Sequence, residues 1–151
     1  MKKLILLILF TGLGVISACS SLPHQPSASV LQQQQELQAK QVIWQVTHLQ
    51  GHALSADELA HRPSLSFDAN SQQVRGSDGC NRIFGSYQLQ GDNLRLSPLA
   101  STKMMCINNI QISDQFHLAL AKVTSFSVEK QILKLKDQSN HVMMELHSQN
   151  H

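Results

Sequence analysis

The sequence predicts a single small α+β domain, mainly β, in which an antiparallel sheet of about eight short strands curls toward a barrel and packs against one helix. Three observations predict this fold. From Val42 onward, short runs that alternate apolar and polar residues recur between turn residues. One segment, from Ile112 to Val123, has helical spacing instead. The length of 151 residues is that of about one domain.

The strands are predicted in order along the chain. The first is the β-rich run 42–48, and residues 55–58 after it have the Ser-to-Glu spacing of a helix capping box. Two hairpins follow, at 65–75 and 86–97, with Gly91-Asp92 as the turn of the second. Three more strands follow the helix, at 124–129, 132–136 and 141–147. The predicted core consists of the large apolar residues of these elements: Trp44, Leu65, Phe67, Phe84, Leu94, Leu96, Phe116, Leu120, Phe126 and Leu135.

The first 18 residues are predicted to be a signal peptide. Lys2 and Lys3 precede an apolar run, and small residues end the segment. That run is too short to cross about 30 Å of hydrocarbon, which argues against a permanent transmembrane helix. The exit, residues 16–19, has the sequence Ile-Ser-Ala-Cys and resembles the lipobox of bacterial lipoproteins. The resemblance implies that Cys19 is acylated and becomes the N-terminus. An ordinary leader followed by a coincidental cysteine is the alternative.

Ser20 follows the lipobox cysteine. In lipoproteins of Gram-negative bacteria, the absence of Asp at this position implies an outer-membrane lipoprotein that faces the periplasm. Residues 19–41 are then a lipidated N-terminus and a flexible tether, because Ser, Pro and Gln dominate the segment and leave little apolar surface to bury. The Gln-rich part has the composition of a transient helix. The folded domain is predicted to span residues 42–148.

The charge of the mature chain excludes an electrostatic nucleic-acid binder. The full sequence carries a net charge of +2, but loss of Lys2 and Lys3 leaves 10 Lys and Arg against 10 Asp and Glu. No strong attraction to nucleic acid remains. The predicted partners are the membrane, through the lipid anchor, and an envelope protein.

Two motifs resemble those of the META domain family, of which HslJ is an envelope member. Residues 79–87, GCNRIFGSY, are similar to the GCNxxxGxY signature, and residues 102–106, TKMMC, are similar to the T-x-M-x-C signature. The resemblance covers essentially the whole mature domain. It implies a non-enzymatic protein, related to stress response or antibiotic tolerance, that acts through protein contacts. The motif residues are Gly79, Cys80, Asn81, Gly85, Tyr87, Thr102, Met104 and Cys106.

Cys80 and Cys106 are the only cysteines besides the lipid site. In the oxidising envelope, two cysteines in one mature domain most simply form a disulfide, and a buried thiol is the alternative. Closing the loop between them would cost the unfolded chain about 3 kcal/mol of entropy.

The sequence lacks the patterns of an enzyme, a metal site or a cofactor site. A nucleophilic Cys80 would need an oriented base, and nothing in the sequence orients His117 or His141. Zinc-type ligand spacing and phosphate-binding glycine loops are absent as well. The alternative to a contact protein is a small-ligand or inhibitor-like binding module that uses the loop from Gly79 to Gly85. The pairs Met104-Met105 and Met143-Met144 are predicted to fill the core, with an adaptable contact surface as the alternative.

Overall fold

The computed structural model describes residues 25–106 and 110–149. The predicted signal peptide, Cys19 and the first residues of the tether lie outside the described residues. The described chain forms three helices, α1 (Ala28–Leu37), α2 (Ala56–Ala60) and α3 (Ile110–Leu120). It also forms ten strands: β1 (Ile43–Leu49), β2 (His52–Ala53), β3 (Ser64–Asp68), β4 (Gln73–Ser77), β5 (Arg82–Gln90), β6 (Asn93–Leu96), β7 (Ala100–Ser101), β8 (Ser125–Glu129), β9 (Ile132–Lys136) and β10 (Val142–Gln149).

Eight of these strands form a closed antiparallel barrel. Their order is β10-β9-β8-β6-β5-β4-β3-β1, and pairing between β1 and β10 closes the circle. The short strands β2 and β7 add to β1 and β5. Closure leaves no long unpaired sheet edge. The predicted mainly-β architecture with a curled antiparallel sheet is therefore confirmed.

Local sequence accounts for the turns. In the β3–β4 hairpin, Oδ1 of Asp68 accepts the backbone N–H groups of Asn70 and Ser71 at 2.9 Å each. Gly91 in the β5–β6 turn has a φ of +64°, which glycine adopts at little cost. The predicted capping box at the start of α2 is present, with reciprocal bonds between Ser55 and Glu58.

Period-two alternation places most of the predicted core correctly. Eight of the ten predicted residues are buried, and Leu96 is partly buried. Phe84 is the error, because its side chain is 54% exposed. On β5 the inward positions are Ile83 and Tyr87, so Phe84 points outward. A shift of one position moves a strand residue to the other face.

Helix α1 corrects the predicted tether, which extended to residue 41. Leu37 is 1% exposed, and its carbonyl accepts the indole N–H of Trp44 at 3.1 Å. The glutamines of α1 bond to the barrel: Gln34 Nε2 donates to the Gly91 carbonyl at 2.7 Å, and Gln33 Oε1 accepts the Val128 N–H at 3.1 Å. The Gln-rich composition suggested a spacer, but these amides satisfy backbone groups at the end of the barrel.

The two longer helices lie at opposite ends of the barrel. Strand β5 begins at Arg82, beside the turn to which α3 is bonded, and ends at Gln90, beside the Gly91 turn to which α1 is bonded. Nine residues of strand separate these ends by about 26 Å. We call them the α1 end and the α3 end. None of the helices in the described ranges is both long and apolar enough to span a membrane.

The packing of α1 predicts a selective loss of stability. Leu37→Ala should lower the free energy of unfolding by about 2–4 kcal/mol, because it opens a cavity between α1 and the barrel. Leu31→Ala is the matched control, since Leu31 lies on the same helix but is 45% exposed. It should change stability by less than about 0.5 kcal/mol. Urea unfolding measures both, and equal effects would mean that α1 does not belong to the folded unit.

Candidate functional site

The turn between β4 and β5 is the centre of the site. It consists of residues 78–81 and is closed by a bond from the Asp78 N–H to the Asn81 carbonyl at 3.0 Å. Gly79 has a φ of +94°, a conformation that side chains with a Cβ rarely adopt. The glycine at position 79 of the first motif thus has a backbone cause.

The carboxylate of Asp78 is the common hydrogen-bond acceptor of this turn, and the residue is fully buried. Its Oδ1 accepts the backbone N–H groups of Cys80 at 2.8 Å and Asn81 at 2.5 Å. Its Oδ2 accepts the Ser113 hydroxyl at 2.8 Å, and His117 Nε2 at 2.9 Å. The Asn81 side-chain amide donates to the same oxygen at 3.2 Å. Five donors from two elements therefore converge on one carboxylate, which we call the Asp78 cluster.

These bonds determine the ionisation of Asp78. Burial by itself raises the pKa of a carboxyl group, because it penalises the charged form. The hydrogen bonds from Asn81, His117, Cys80 and Ser113 outweigh burial and lower the pKa of Asp78 to about 2, from an ordinary 3.8. Asp78 is therefore a permanent buried anion at neutral pH.

Asn81 extends the cluster to the second motif. Its Oδ1 accepts the backbone N–H of Met104 at 2.7 Å. Thr102 is held to the start of β5 by two bonds, from the Arg82 N–H to its hydroxyl at 3.1 Å and from its own N–H to the Arg82 carbonyl at 3.0 Å. The predicted disulfide between Cys80 and Cys106 is present, with Cα atoms 5.9 Å apart. The segment 102–106, which we call the Met104 loop, is thus fixed at three points.

The remaining two motif residues have packing roles away from the turn. A Cβ on Gly85 would lie 2.5 Å from Leu99 Cδ2, so any larger residue there would require the Leu99 side chain to shift. The Tyr87 hydroxyl accepts the Gln38 side-chain amide at 2.7 Å, and its ring meets Phe67 edge-to-face at 5.2 Å. Tyr87 therefore ties the first motif to the α1 end.

The Met104 loop presents an exposed apolar surface. Met104 is 64% exposed, Met105 is 92% exposed and Ile110, at the start of α3, is 66% exposed. Together with the disulfide they line a surface hollow of about 470 Å³. We call these three residues the Met104 surface. The prediction that Met104 and Met105 fill the core is wrong, whereas Met143 and Met144 are buried as predicted.

His117 is oriented by Asp78, a relationship that the sequence analysis missed. The ring lies beside a second hollow of about 340 Å³, between α3 and the Leu96–Leu99 segment. Ser113 donates to Asp78, and Cys80 is in the disulfide, so neither nucleophile is bonded to His117. The sequence holds signals only for the separate parts of the cluster: Ser113 and His117 are spaced i, i+4 on one helix face, and Asp78 precedes two amides that an Asx turn would use.

Metal ligation finds no support in the described ranges. Nowhere in residues 25–106 and 110–149 do three or more His, Cys, Asp or Glu side chains form a group that could hold a metal ion.

The backbone amides of Cys80 and Asn81, in the loop proposed for ligand binding, already donate to Asp78. Arg82 to Gly85 belong to β5 rather than to a loop.

Comparison with known proteins gives a family match and a set of similar folds. The model of the META domain family matches residues 35–150. No curated protein shows a significant match. An NMR structure of a protein from Burkholderia xenovorans is similar over 92% of this chain and 100% of its own, with 19% identity and a TM-score of 0.62.

Two further structures share the fold. A second NMR structure covers 71% of this chain and 86% of its own, with 22% identity and a TM-score of 0.53. A crystal structure of a DUF4847 family protein from Bacteroides vulgatus covers 70% and 90%, with 14% identity and a TM-score of 0.52. Identities this low establish a common fold and no common activity. The family match begins at residue 35, within α1, which agrees with the packing of that helix on the barrel.

The low pKa of Asp78 predicts how stability depends on pH. A carboxyl group whose pKa is lower in the folded state stabilises the fold above its unfolded pKa. The shift of the Asp78 pKa from 3.8 to about 2 contributes about 2 kcal/mol to the free energy of unfolding. This contribution is present above pH 4 and is lost as the pH falls toward 2. Asp78→Asn should lower the free energy of unfolding by about 2–3 kcal/mol at pH 7, because the NH2 group of the amide would face hydrogen-bond donors and cannot accept from them. The same substitution should also flatten the pH dependence of the free energy of unfolding below pH 4.

The matched control is Asp114→Asn, an exposed carboxyl group on α3. Its effect at pH 7 should stay below about 1 kcal/mol. Urea unfolding from pH 7 to pH 2 measures both variants. If Asp78→Asn were as stable as the control at pH 7, the cluster would not hold the turn and α3 together.

Proposed function

The chain belongs to the META domain family, and on this premise we propose that it is an outer-membrane lipoprotein that acts without catalysis, through contacts with an envelope protein. The role fits stress response or antibiotic tolerance. The contact region is the Met104 surface. The observation that carries the proposal is the exposure of Met104 and Met105, on a loop that the disulfide, Asn81 and Thr102 hold in place, beside the exposed Ile110 of α3.

Exposed apolar side chains on a rigid support are typical of a contact site. They gain free energy when a partner removes them from water, and a fixed loop loses little conformational entropy on binding. Methionine side chains adapt their shape to a partner, which suits a contact surface more than a catalytic pocket. Lys103 lies between Thr102 and Met104 and adds one positive charge beside the surface.

The position of the surface favours a protein partner over the anchoring membrane. The chain reaches Ala28 from Cys19 through eight residues, which extend to about 30 Å at most. It enters the fold through α1, whose barrel contacts lie at the α1 end, whereas the Met104 surface lies at the α3 end, about 26 Å along β5. In a domain tethered through α1, the Met104 surface therefore lies at the end opposite the tethered helix. That position leaves the Met104 surface accessible to a protein partner in the periplasm.

The alternative of a small-ligand module at Gly79–Gly85 has weaker support. The amides that such a loop would offer to a ligand are bonded to Asp78, and half of the segment is strand β5. Catalysis also has weak support, because the disulfide removes the Cys80 thiol and Ser113 is bonded to the carboxylate instead of the imidazole.

The contact function predicts site-specific crosslinking in cells. A photo-crosslinking residue at position 105 should join the chain reproducibly to one envelope protein, and Met104→Glu in the same chain should reduce the yield at least about tenfold, because a charge must then be buried at the interface. Position 118 is the matched control, since Leu118 is 61% exposed on α3 but lies outside the Met104 surface. Equal crosslinking from both positions would contradict a specific contact at the Met104 surface.

The lipoprotein assignment predicts acylation at Cys19. The wild-type chain should incorporate labelled palmitate and fractionate with the outer membrane, because two or three acyl chains anchor a protein stably. Cys19→Ala should lose the label and leave that fraction. Ser20→Asp should keep the label and move to the inner membrane. Retention of the label by Cys19→Ala would contradict the assignment.

A further inference from the structure

We propose that Met104 and Met105 are an oxidation site, at which hydrogen peroxide or a related two-electron oxidant converts the Met104 surface from apolar to polar and weakens its contacts. The site itself follows from exposure and redox chemistry. The effect on contacts rests on the proposed function.

The chain has two adjacent methionine pairs that differ in how accessible their thioether sulfurs are to an oxidant. Met104 is 64% exposed and Met105 is 92% exposed, whereas Met143 is 7% exposed and Met144 is fully buried in the barrel. Oxidation of methionine follows the access of the oxidant to sulfur. The adjacent pair on the loop should therefore react well before the adjacent pair on β10.

Thiols do not compete for the oxidant at this site. Thiolates generally react with peroxide before thioethers do. Here Cys80 and Cys106, which both line the hollow, are already joined in the disulfide. The single tryptophan is 2% exposed, so it is shielded as well. The two methionines are thus the most accessible oxidisable groups of the α3 end.

The reaction balances with peroxide as the only co-reactant. A lone pair of the thioether sulfur attacks one peroxide oxygen, the O–O bond breaks, and an S–O bond forms. The sulfur loses two electrons and the peroxide gains them. The proton of the transferred oxygen passes to the departing hydroxide, which leaves as water. The product, methionine sulfoxide, is polar and can be reduced by methionine sulfoxide reductases.

Oxidation at these positions would leave the fold intact. The Met104 loop is held by the Met104 backbone N–H on Asn81, by Thr102 on Arg82 and by the disulfide, and none of these contacts uses a thioether. Because Met104 and Met105 are exposed, their sulfoxides need no place in the core. The same change at Met144 would put a polar group inside the barrel.

The oxidation site is tested by peptide mass mapping of the mature, lipidated chain in detergent, after graded exposure to hydrogen peroxide. Met104 and Met105 should each gain one oxygen at least about tenfold faster than Met143 and Met144. The thermal unfolding midpoint should stay unchanged while only the first pair is oxidised. Equal rates for the two pairs, or unfolding that accompanies oxidation of Met104 and Met105 alone, would overturn the proposal.

The effect on contacts is tested separately. The double variant Met104→Leu, Met105→Leu keeps the apolar surface and removes both thioethers. Peroxide should reduce crosslinking from position 110 in the wild-type chain several-fold and leave the double variant unchanged. An equal reduction in both would overturn the switch. If the untreated chain forms no specific crosslink at all, the proposed contact function fails, while selective oxidation in the mass map still establishes the site.

Discussion

The buried carboxylate of Asp78 is the interaction on which the rest of the α3 end depends. A buried charge is costly unless it is fully hydrogen-bonded, and Asp78 meets that condition with donors from the 78–81 turn and from α3. Those donors belong to segments that are distant in sequence, so the carboxylate fixes the turn and the helix relative to each other. Asn81, held by Asp78, then positions the Met104 loop.

The barrel separates two kinds of surface. At the α1 end, side-chain amides of α1 satisfy the Gly91 carbonyl and the Val128 N–H, and α1 is the described helix nearest in sequence to Cys19. At the α3 end, the two family motifs meet through the disulfide and Asn81 and present apolar side chains to solvent. The proposed lipid attachment and the proposed contact surface therefore belong to opposite ends. A closed barrel suits this separation because it holds both ends at a fixed distance.

Much of the fold could be predicted because it follows from short-range patterns. Alternation identified the hairpins, and helical spacing identified α3. Phe84 was misplaced because a strand residue changes face with a shift of one position, and α1 was missed because its contacts are long-range hydrogen bonds from glutamine. Cysteine count predicted the disulfide. The Asp78 cluster was missed, since only the fold brings Asp78 to Ser113 and His117, 35 and 39 positions away.

Hydrogen exchange of individual backbone amides tests most directly the claim that the Asp78 cluster fixes the Met104 loop. The amides of Cys80, Asn81 and Met104 donate to Asp78 or Asn81, although all three lie outside the strands. In the disulfide-bonded protein they should exchange as slowly as the amides of β5, and Asp78→Asn should accelerate all three. If these amides exchanged at the rate of an open loop while β5 stayed protected, the cluster would not be the element that holds the site.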